Sequence, residues 1–134
     1  MPSWKRVNVP ELPELPAFAH AAVAGDQIYV AGMLGLTDDF SAVVEGGVAA
    51  QTTQALRHVE RILQACGASL ADVVKVTVYM TDLAEWEAMN TAYVAAFGPE
   101  TPARIAIGCA SLLLDAKLEL DCIAYRGPKT PSGS

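Results

Sequence analysis

Two segments with helical periodicity, separated by a β-branched run, constrain the fold of this chain more than any other feature. Apolar residues recur at three- and four-residue spacing from Val48 to Cys66, and Gly67 follows where a left-handed C-cap would end a helix. The run Val73 to Met80 is rich in β-branched residues, which predicts a buried strand. A second apolar stripe from Leu83 to Phe97 predicts another helix, which stops at Gly98-Pro99.

Short strands are predicted on both sides of these elements. Trp4 to Val9 predicts an edge strand, and Ala17 to Val23 with Gln27 to Ala31 predicts a β-hairpin. Ala103 to Cys109 and Lys117 to Tyr125 predict the last two strands. The order β-β-β-α-β-α-β-β therefore predicts an α+β fold with one mixed six-stranded sheet and both helices on one face.

The length and the low charge content bear on domain count and assembly. A chain of 134 residues is sufficient for one domain, which we assign to residues 1–126, with 127–134 as a flexible polar tail. Charged residues make up 18% of the chain, below the roughly 25% of average domains, which fits either a well-filled core or apolar surface hidden against another subunit. No third helix is available to cover the second face of the sheet, so we expect subunit association.

Charge and cysteine usage limit the partners and the compartment. A formal net charge of −6 disfavours nucleic-acid binding, because an acidic surface repels phosphate groups. Cys66, Cys109 and Cys122 show no paired spacing, and no zinc-ligand pattern joins them to the two histidines, so we expect free thiols and no metal site. We find neither a signal-peptide pattern nor a run near the ~20 apolar residues of a membrane span, which predicts a cytoplasmic protein without membrane contact.

Arg104 is the residue whose position is hardest to explain by packing. It stands at the start of an otherwise apolar predicted strand. A charge taken out of water there is costly unless it is paired. A guanidinium offers a planar fork that matches a carboxylate, so Arg104 is a candidate anchor for a small carboxylic acid. The alternative is a strand-end arginine that reaches solvent or pairs with a surface acid.

Other polar side chains are candidates too, each with a structural alternative. Glu119 and Asp121 alternate onto one face of the last strand, where they could hold a water molecule or act as acid and base, or simply form the solvated face of the sheet. Asn90 lies on the apolar stripe of the second helix, where a buried amide needs a protein partner or a ligand. His20 is a candidate substrate contact or a satisfied core or interface residue, and His58 is expected at the surface.

Motifs over nearly the whole chain, from about Phe18 to Tyr125, resemble those of the RidA/YjgF family. They occur in that family's order: Ile28-Tyr-Val-Ala-Gly32, Ala50-Gln-Thr-Thr-Gln-Ala-Leu56, Asp72-Val-Val-Lys-Val-Thr-Val-Tyr-Met-Thr-Asp82, Asn90-x-x-Tyr93-x-x-x-Phe97, Pro102-Ala-Arg104 and Glu119-Leu-Asp-Cys-Ile-Ala124.

This resemblance implies a chorismate-mutase-like fold, a homotrimer and active sites in the clefts between subunits. It also implies hydrolysis of reactive 2-imino or 2-enamino carboxylic acids to 2-oxo acids and ammonia, without a metal or organic cofactor. Arg104 matches the arginine that binds the substrate carboxylate, and Glu119 matches the carboxylate that positions the attacking water. Asn90 matches an asparagine near the site, and Gly32 matches the glycine whose backbone lines it.

Four positions depart from the family pattern. Phe18 and Ala31 stand where the archetypal deaminases carry tyrosine and serine, so two hydroxyl groups are lost, each worth about 0.5–1.5 kcal/mol if hydrogen-bonded. Met33 replaces a common glutamine, and Ala106 replaces a common cysteine. These departures predict a more apolar pocket and a larger or ring-derived substrate, such as an amino-muconate.

Two other functions stay open at this point. A trimer that binds small carboxylic acids without turnover is favoured by the loss of both hydroxyl groups, at Phe18 and Ala31. Ribonuclease activity has been ascribed to some relatives, but the acidic charge and the lack of a histidine pair argue against it here.

Overall fold

A computed structural model of the chain describes residues 3–128, and the predicted strands and helices occur in the predicted order. Residues 129–134, most of the expected polar tail, lie outside the described residues. The strands are β1 (Lys5–Val7), β2 (Ala21–Ala24), β3 (Gln27–Leu34), β4 (Val73–Met80), β5 (Ala103–Gly108) and β6 (Leu118–Tyr125). The helices are α1 (Gly47–Ala65) and α2 (Trp86–Phe97).

All six strands join one mixed sheet in the order β1-β2-β3-β6-β4-β5. The β4–β5 pair is parallel, because α2 carries the chain back across the sheet between them, and the other pairs are antiparallel. This architecture confirms the predicted fold class. It also makes β5, which carries Arg104, an edge strand, whereas β6, which carries Glu119, lies between β3 and β4.

Helix α1 packs the stripe predicted from its apolar spacing. Val59 and Ile62 are fully buried, and each such side chain contributes about 1.5–3 kcal/mol relative to an exposed position. The helix ends as predicted, with Gly67 at φ 80°. The Arg126 guanidinium donates to the carbonyl of Cys66 at 2.7 Å and satisfies a carbonyl at this end.

The expectation that His58 lies at the surface is wrong. Its side chain is fully buried under the loop that follows β3, with Nε2 2.7 Å from the Leu36 carbonyl. The Phe40 ring packs edge-on against it at a centroid distance of 5.5 Å. Burial lowers the pKa of His58, so the imidazole is held in its neutral form.

Strand β2 is shorter than predicted and begins at Ala21, although the His20 carbonyl still accepts from the Ala31 N–H of β3 at 2.9 Å. Leu15 and Phe18 form an isolated bridge, and the His20 backbone N–H donates to Asn8 Oδ1 at 3.1 Å. These side-chain hydrogen bonds compete with the strand ladder. Phe18 therefore lies in a loop and not in a strand.

The sheet face away from the helices carries exposed apolar side chains. Tyr29, Ile105 and Ile107 are each between 42% and 50% exposed. Exposed apolar side chains on one face of a sheet are typical of a contact surface. The expectation that another subunit covers this face stays a prediction.

Candidate active site

Arg104 points to the helix side of the sheet, where α2 surrounds it. In the β4–β5 register it is paired with Val76, which is fully buried beneath the helices. The guanidinium carbon lies 4.7 Å from the ring centroid of Tyr93 and 5.1 Å from that of Trp86. One guanidinium nitrogen lies 3.7 Å from the Met89 sulfur. Arg104 is thus held by two aromatic rings and a thioether on one face of α2.

No carboxylate within residues 3–128 pairs with this guanidinium. The ion pairs of that part of the chain are Arg61–Asp38 at 3.1 Å and Lys117–Glu85 at 3.3 Å. Apart from the weak hydrogen bond that Nη1 donates to the Met89 sulfur, these contacts use the positive charge of Arg104 but not its planar fork of N–H donors. The fork is therefore available to an external carboxylate, which it would bind through two parallel hydrogen bonds.

Asn90 and Ala106 lie on the same side as Arg104. Asn90 follows Trp86 by four residues and precedes Tyr93 by three, which places it on the same face of α2. Its side chain is half-buried and forms no hydrogen bond within the described residues. Ala106 follows Arg104 by two positions on β5, and the alternation of a strand puts both on the helix side. We refer to Trp86, Asn90, Arg104 and Ala106 as the arginine half.

Glu119 points to the other side of the sheet. Its neighbours Leu118 and Leu120 are fully buried on the helix side, so the alternation of β6 turns Glu119 to the opposite face. Burial raises the pKa of Glu119, and the negative charge of Asp121 raises it further. The carboxylate is therefore a stronger proton acceptor than an exposed glutamate.

Gly32 on β3 stands directly against the Glu119 carboxylate. A Cβ atom at position 32 would lie 2.6 Å from Glu119 Oε2, closer than side chains approach one another. Only glycine leaves the carboxylate in this position. The prediction that Gly32 lines a site beside Glu119 thus has a steric reason.

Phe18, in the loop before β2, and Ala31, on β3, lie near Gly32. Both line a groove of about 480 Å³ that also includes Trp4 and Arg6. The side chain of Phe18 is exposed, whereas Ala31 is half-buried. We refer to Phe18, Ala31, Gly32 and Glu119 as the glutamate half.

His20 is occupied by the N-terminal segment. Its ring is fully buried, Nδ1 accepts from the Val9 backbone N–H at 2.9 Å, and Nε2 lies 2.7 Å from the Pro13 carbonyl. Both ring nitrogens are therefore satisfied inside the protein. We leave His20 out of the proposed site.

The structure thus divides the candidate residues between two faces of one sheet. Arg104, Asn90 and Ala106 lie with the helices, whereas Glu119 lies on the opposite face with Gly32 beside it. Within one protomer the sheet separates Arg104 from Glu119.

An apolar cavity of about 350 Å³ adjoins the glutamate half, and the sequence-based prediction of site residues missed most of it. It lies between β3 and the loop that precedes β6, and its lining includes Gly32, Phe40, Leu113 and Leu114. The sequence signal was the run of three leucines from position 112, an unusual composition for a loop. The aromatic cradle of Arg104 was also missed, because Trp86 and Tyr93 fit a packing stripe equally well.

Two further properties of the described residues bear on function. No group of three or more His, Cys, Asp or Glu side chains in this part of the chain is arranged to hold a metal ion. Neither α1 nor α2 is both long and apolar enough to cross a bilayer.

Comparison with known proteins shows sequence similarity to one family along nearly the whole domain. The profile of the family described as Endoribonuclease L-PSP matches residues 7–126. A RutC family protein of Pyrococcus horikoshii is 37% identical over 109 residues, which are 81% of this chain and 86% of that protein. The 2-iminobutanoate/2-iminopropanoate deaminase of Rattus norvegicus is 35% identical over 117 residues, which are 87% of this chain and 85% of that protein.

Solved structures agree with this sequence relationship. RidA from the Antarctic bacterium Psychrobacter sp. superposes with a TM-score of 0.84 at 30% identity, over 90% of this chain and 98% of that one. The YjgF gene product of E. coli gives a TM-score of 0.84 at 28% identity, over 92% and 99%. The fold defines the class: small α+β proteins with two helices on one face of a single mixed sheet. Within that class, this chain belongs to the RidA/YjgF family.

Proposed function

We propose that this protein is a hydrolytic deaminase that converts reactive 2-imino or 2-enamino carboxylic acids to 2-oxo acids and ammonia. The observation that carries the proposal is the Arg104 guanidinium, held over two aromatic rings with no acid paired to it in the described residues. A relative that is 35% identical is named an imine deaminase, which supports the same chemistry here.

Arg104 would bind and orient the substrate carboxylate. The aromatic rings of Trp86 and Tyr93 fix the guanidinium and reduce its contact with water, which strengthens a charge-assisted hydrogen bond. Fixing the carboxylate also fixes the adjacent C=N carbon, so the reaction gains from proximity. The amide of Asn90, on the same face of α2 as Trp86, would add a hydrogen bond at the same end of the substrate.

Glu119 would supply the water. An enamine first tautomerises to the imine, and the Glu119 carboxylate then accepts a proton from a water molecule as its oxygen bonds to the C=N carbon. Glu119 passes this proton to the imine nitrogen, which completes the carbinolamine. Transfer of the hydroxyl proton to the amino group then releases ammonia as the C–N bond breaks and the C=O bond of the 2-oxo acid forms. The pKa of Glu119, raised mainly by burial, lies closer to neutrality than that of an exposed glutamate, which favours both proton transfers.

We infer that the working unit is a homotrimer with sites between protomers. The sheet separates Arg104 from Glu119 within one protomer, so a complete site needs the arginine half of one copy and the glutamate half of another. The exposed apolar face with Tyr29, Ile105 and Ile107 supports association of copies. Cyclic symmetry would make every site equivalent.

Mixing two inactive variants tests the reaction and the shared site together. Arg104→Ala and Glu119→Gln are each expected to lose activity on freshly generated 2-iminopropanoate. In a randomly mixed trimer each site takes its arginine from one protomer and its glutamate from the next, so about one site in four carries both native residues. We therefore expect about a quarter of native activity after the two variants are refolded together.

The matched control mixes Arg104→Ala with the double variant Arg104→Ala/Glu119→Gln, in which no site can recover both residues. Native mass spectrometry confirms that mixed oligomers form. Mixed oligomers without recovered activity would contradict the shared site. Full activity of Arg104→Ala alone would contradict the proposed role of the guanidinium.

A binder of carboxylic acids without turnover is the second candidate. It is favoured by Phe18 and Ala31, which line the groove beside Gly32 without a hydroxyl group between them. Calorimetric binding of 2-oxo acids, together with no ammonia release from a panel of imines, would select this function. Ribonuclease activity, which the description of the matching family names, has no support from the candidate site, because His20 and His58 are both fully buried and closed off from RNA.

The apolar groove lined by Phe18 and Ala31 supports a substrate larger than 2-iminopropanoate. A ring-derived acid such as an amino-muconate is one candidate for it. The size and polarity of the space beside Glu119 decide between such substrates.

A further inference from the structure

The apolar cavity beside the glutamate half has the size and position of a side-chain pocket. Its volume of about 350 Å³ lies in the usual range for small-molecule sites. Nine residues line it and none has a polar side chain; they include Phe18, Met33, Leu36, Phe40, Leu113 and Leu114. Such a lining can gain free energy only from an apolar group.

The cavity and the Glu119 carboxylate have Gly32 as a common neighbour. Gly32 belongs to its lining, and the same glycine stands against the Glu119 carboxylate, where a Cβ atom would lie 2.6 Å from Oε2. A ligand whose reacting carbon lies near Glu119 therefore has the cavity directly beside it. No other described cavity has Gly32 in its lining.

The loop residues that line the cavity are exposed or adopt an unfavourable backbone conformation. Leu113 and Leu114 are 75% and 53% exposed in the protomer. Leu114 has φ 57°, and Phe40, on the opposite wall, has φ 61°, which is the left-handed region that bulky residues avoid. Strained backbone of this kind persists mainly where it serves a site, and exposed leucines indicate an apolar partner.

We propose that this cavity receives the substrate side chain, and that the protein prefers 2-imino acids with a large apolar side chain over 2-iminopropanoate. This inference rests on the proposed deaminase function. The apolar lining also distinguishes between an amino-muconate and imines with apolar side chains. No basic side chain lines the cavity, so the second carboxylate of an amino-muconate would be buried there without a partner. Leucine-, methionine- and phenylalanine-derived imines fit the cavity instead.

The test compares imines generated in place by an amino-acid oxidase from leucine, phenylalanine and alanine. We expect kcat/KM for the leucine-derived imine to exceed that for the alanine-derived imine by about tenfold or more, since each added carbon in an apolar pocket favours binding. The variant Leu113→Ser/Leu114→Asn makes the wall polar, and asparagine tolerates the left-handed backbone at position 114. This variant should bring the ratio of the two kcat/KM values close to one.

Val94→Ser is the matched control, because Val94 is a 50% exposed apolar residue of α2 that lies outside the cavity lining. It should keep the native ratio. The same proteins are titrated with 4-methyl-2-oxopentanoate and with pyruvate by calorimetry, so that the pocket is also tested without turnover.

The outcomes separate this inference from the proposed function. Turnover of all imines with no preference for apolar side chains, or a preference that the double variant leaves intact, would overturn the pocket and leave the deaminase in place. Without any turnover, tighter binding of 4-methyl-2-oxopentanoate than of pyruvate, lost in the double variant, would support the pocket and reject the deaminase. Equal binding of both 2-oxo acids in the absence of turnover would overturn both.

Discussion

The arginine half and the glutamate half differ in their place in the sheet and in what surrounds the charged side chain. Arg104 lies on an edge strand, and its guanidinium is positioned by side chains of α2. Glu119 lies on a central strand, where its main chain pairs with Leu34 of β3 and Tyr79 of β4, and its carboxylate stands against Gly32. An edge provides access for a charged ligand, whereas the centre of a sheet provides a fixed, partly desolvated proton acceptor. Each half alone lacks what the other supplies.

Removing the Arg104 guanidinium should cause the largest loss of activity, because it takes away the only cation in the arginine half. Arg104→Ala is expected to lower kcat/KM on the order of 10³-fold, the usual result when one partner of a desolvated charge pair is lost. Arg104→Lys keeps the charge without the planar fork and should fall between Ala and the native protein. Ammonia release from a freshly generated imine measures both.

Arg57→Ala is the control for this prediction, since Arg57 is an exposed arginine of α1 that bonds to Gln54. Its kcat/KM should stay near the native value. Equal losses in Arg57→Ala and Arg104→Ala would show that the effect is not specific to the site.

The glutamate half should respond more weakly but with a pH signature. Glu119→Gln is expected to lower kcat about 10²-fold with little change in KM, because a proton acceptor is lost and the carboxylate anchor is kept. In the native protein the ionised form is active, so the rate should fall as the pH drops through the raised pKa of Glu119. Asp121→Asn removes one cause of that raised pKa and should move the acid limb to lower pH.

The ionised Glu119 carboxylate, which activity requires, is expected to lower the stability of the folded protein. A carboxyl group whose pKa is raised by folding stabilises the native state below its unfolded pKa, and this contribution is lost as the pH rises through the folded value. At neutral pH the ionised, partly buried group is therefore unfavourable. Glu119→Gln should raise the thermal midpoint at pH 7, measured by calorimetry, while it lowers activity. A lowered midpoint would contradict the desolvation of this carboxylate.

Gly32→Ala tests the steric contact between β3 and Glu119. The added Cβ would stand 2.6 Å from Oε2, and the carboxylate can turn away because it is the flexible end of its side chain. We expect the protein to fold and kcat to fall about tenfold, since a small displacement of a catalytic group is enough to reduce its effect. The acid limb of the pH profile should move as well, which a purely structural defect would not cause.

The smallest effect is expected far from both halves, at His58. Its pKa is lowered mainly by burial, so the unfolded chain binds a proton more readily than the folded one once the pH falls below about 6.5. Stability from the neutral imidazole is present above that pH and lost below it, by at most about 1.4 kcal/mol per pH unit. His58→Gln should flatten this slope in urea titrations between pH 7.5 and 5.5. An unchanged slope would mean that other groups carry it.

Much of the fold follows from periodicity in the sequence. The strand from Val73 to Met80 was predicted with its observed bounds, and Gly67 ends α1 as the spacing required. The sequence-based predictions are wrong where side-chain hydrogen bonds take the place of the backbone hydrogen bonds between strands, or where a distant loop covers a helix. Residues 17–20 fit an apolar strand, yet Asn8 and His20 tie them to the N-terminal segment. His58 was misplaced because it stands between Arg57 and Val59 at the border of the apolar stripe of α1, while the loop that buries it comes from residues about twenty positions earlier.

The sequence by itself determined the order of the elements, the family and the identity of the candidate residues, because these depend on local spacing and on motifs. The tertiary structure alone decided which face each residue occupies. Strand alternation is known from the sequence only relative to a strand's own neighbours, whereas the register of β5 on β4 and of β6 on β3 fixes the side of the sheet. That register puts Arg104 and Glu119 on opposite faces and gathers distant leucines into a cavity beside Gly32.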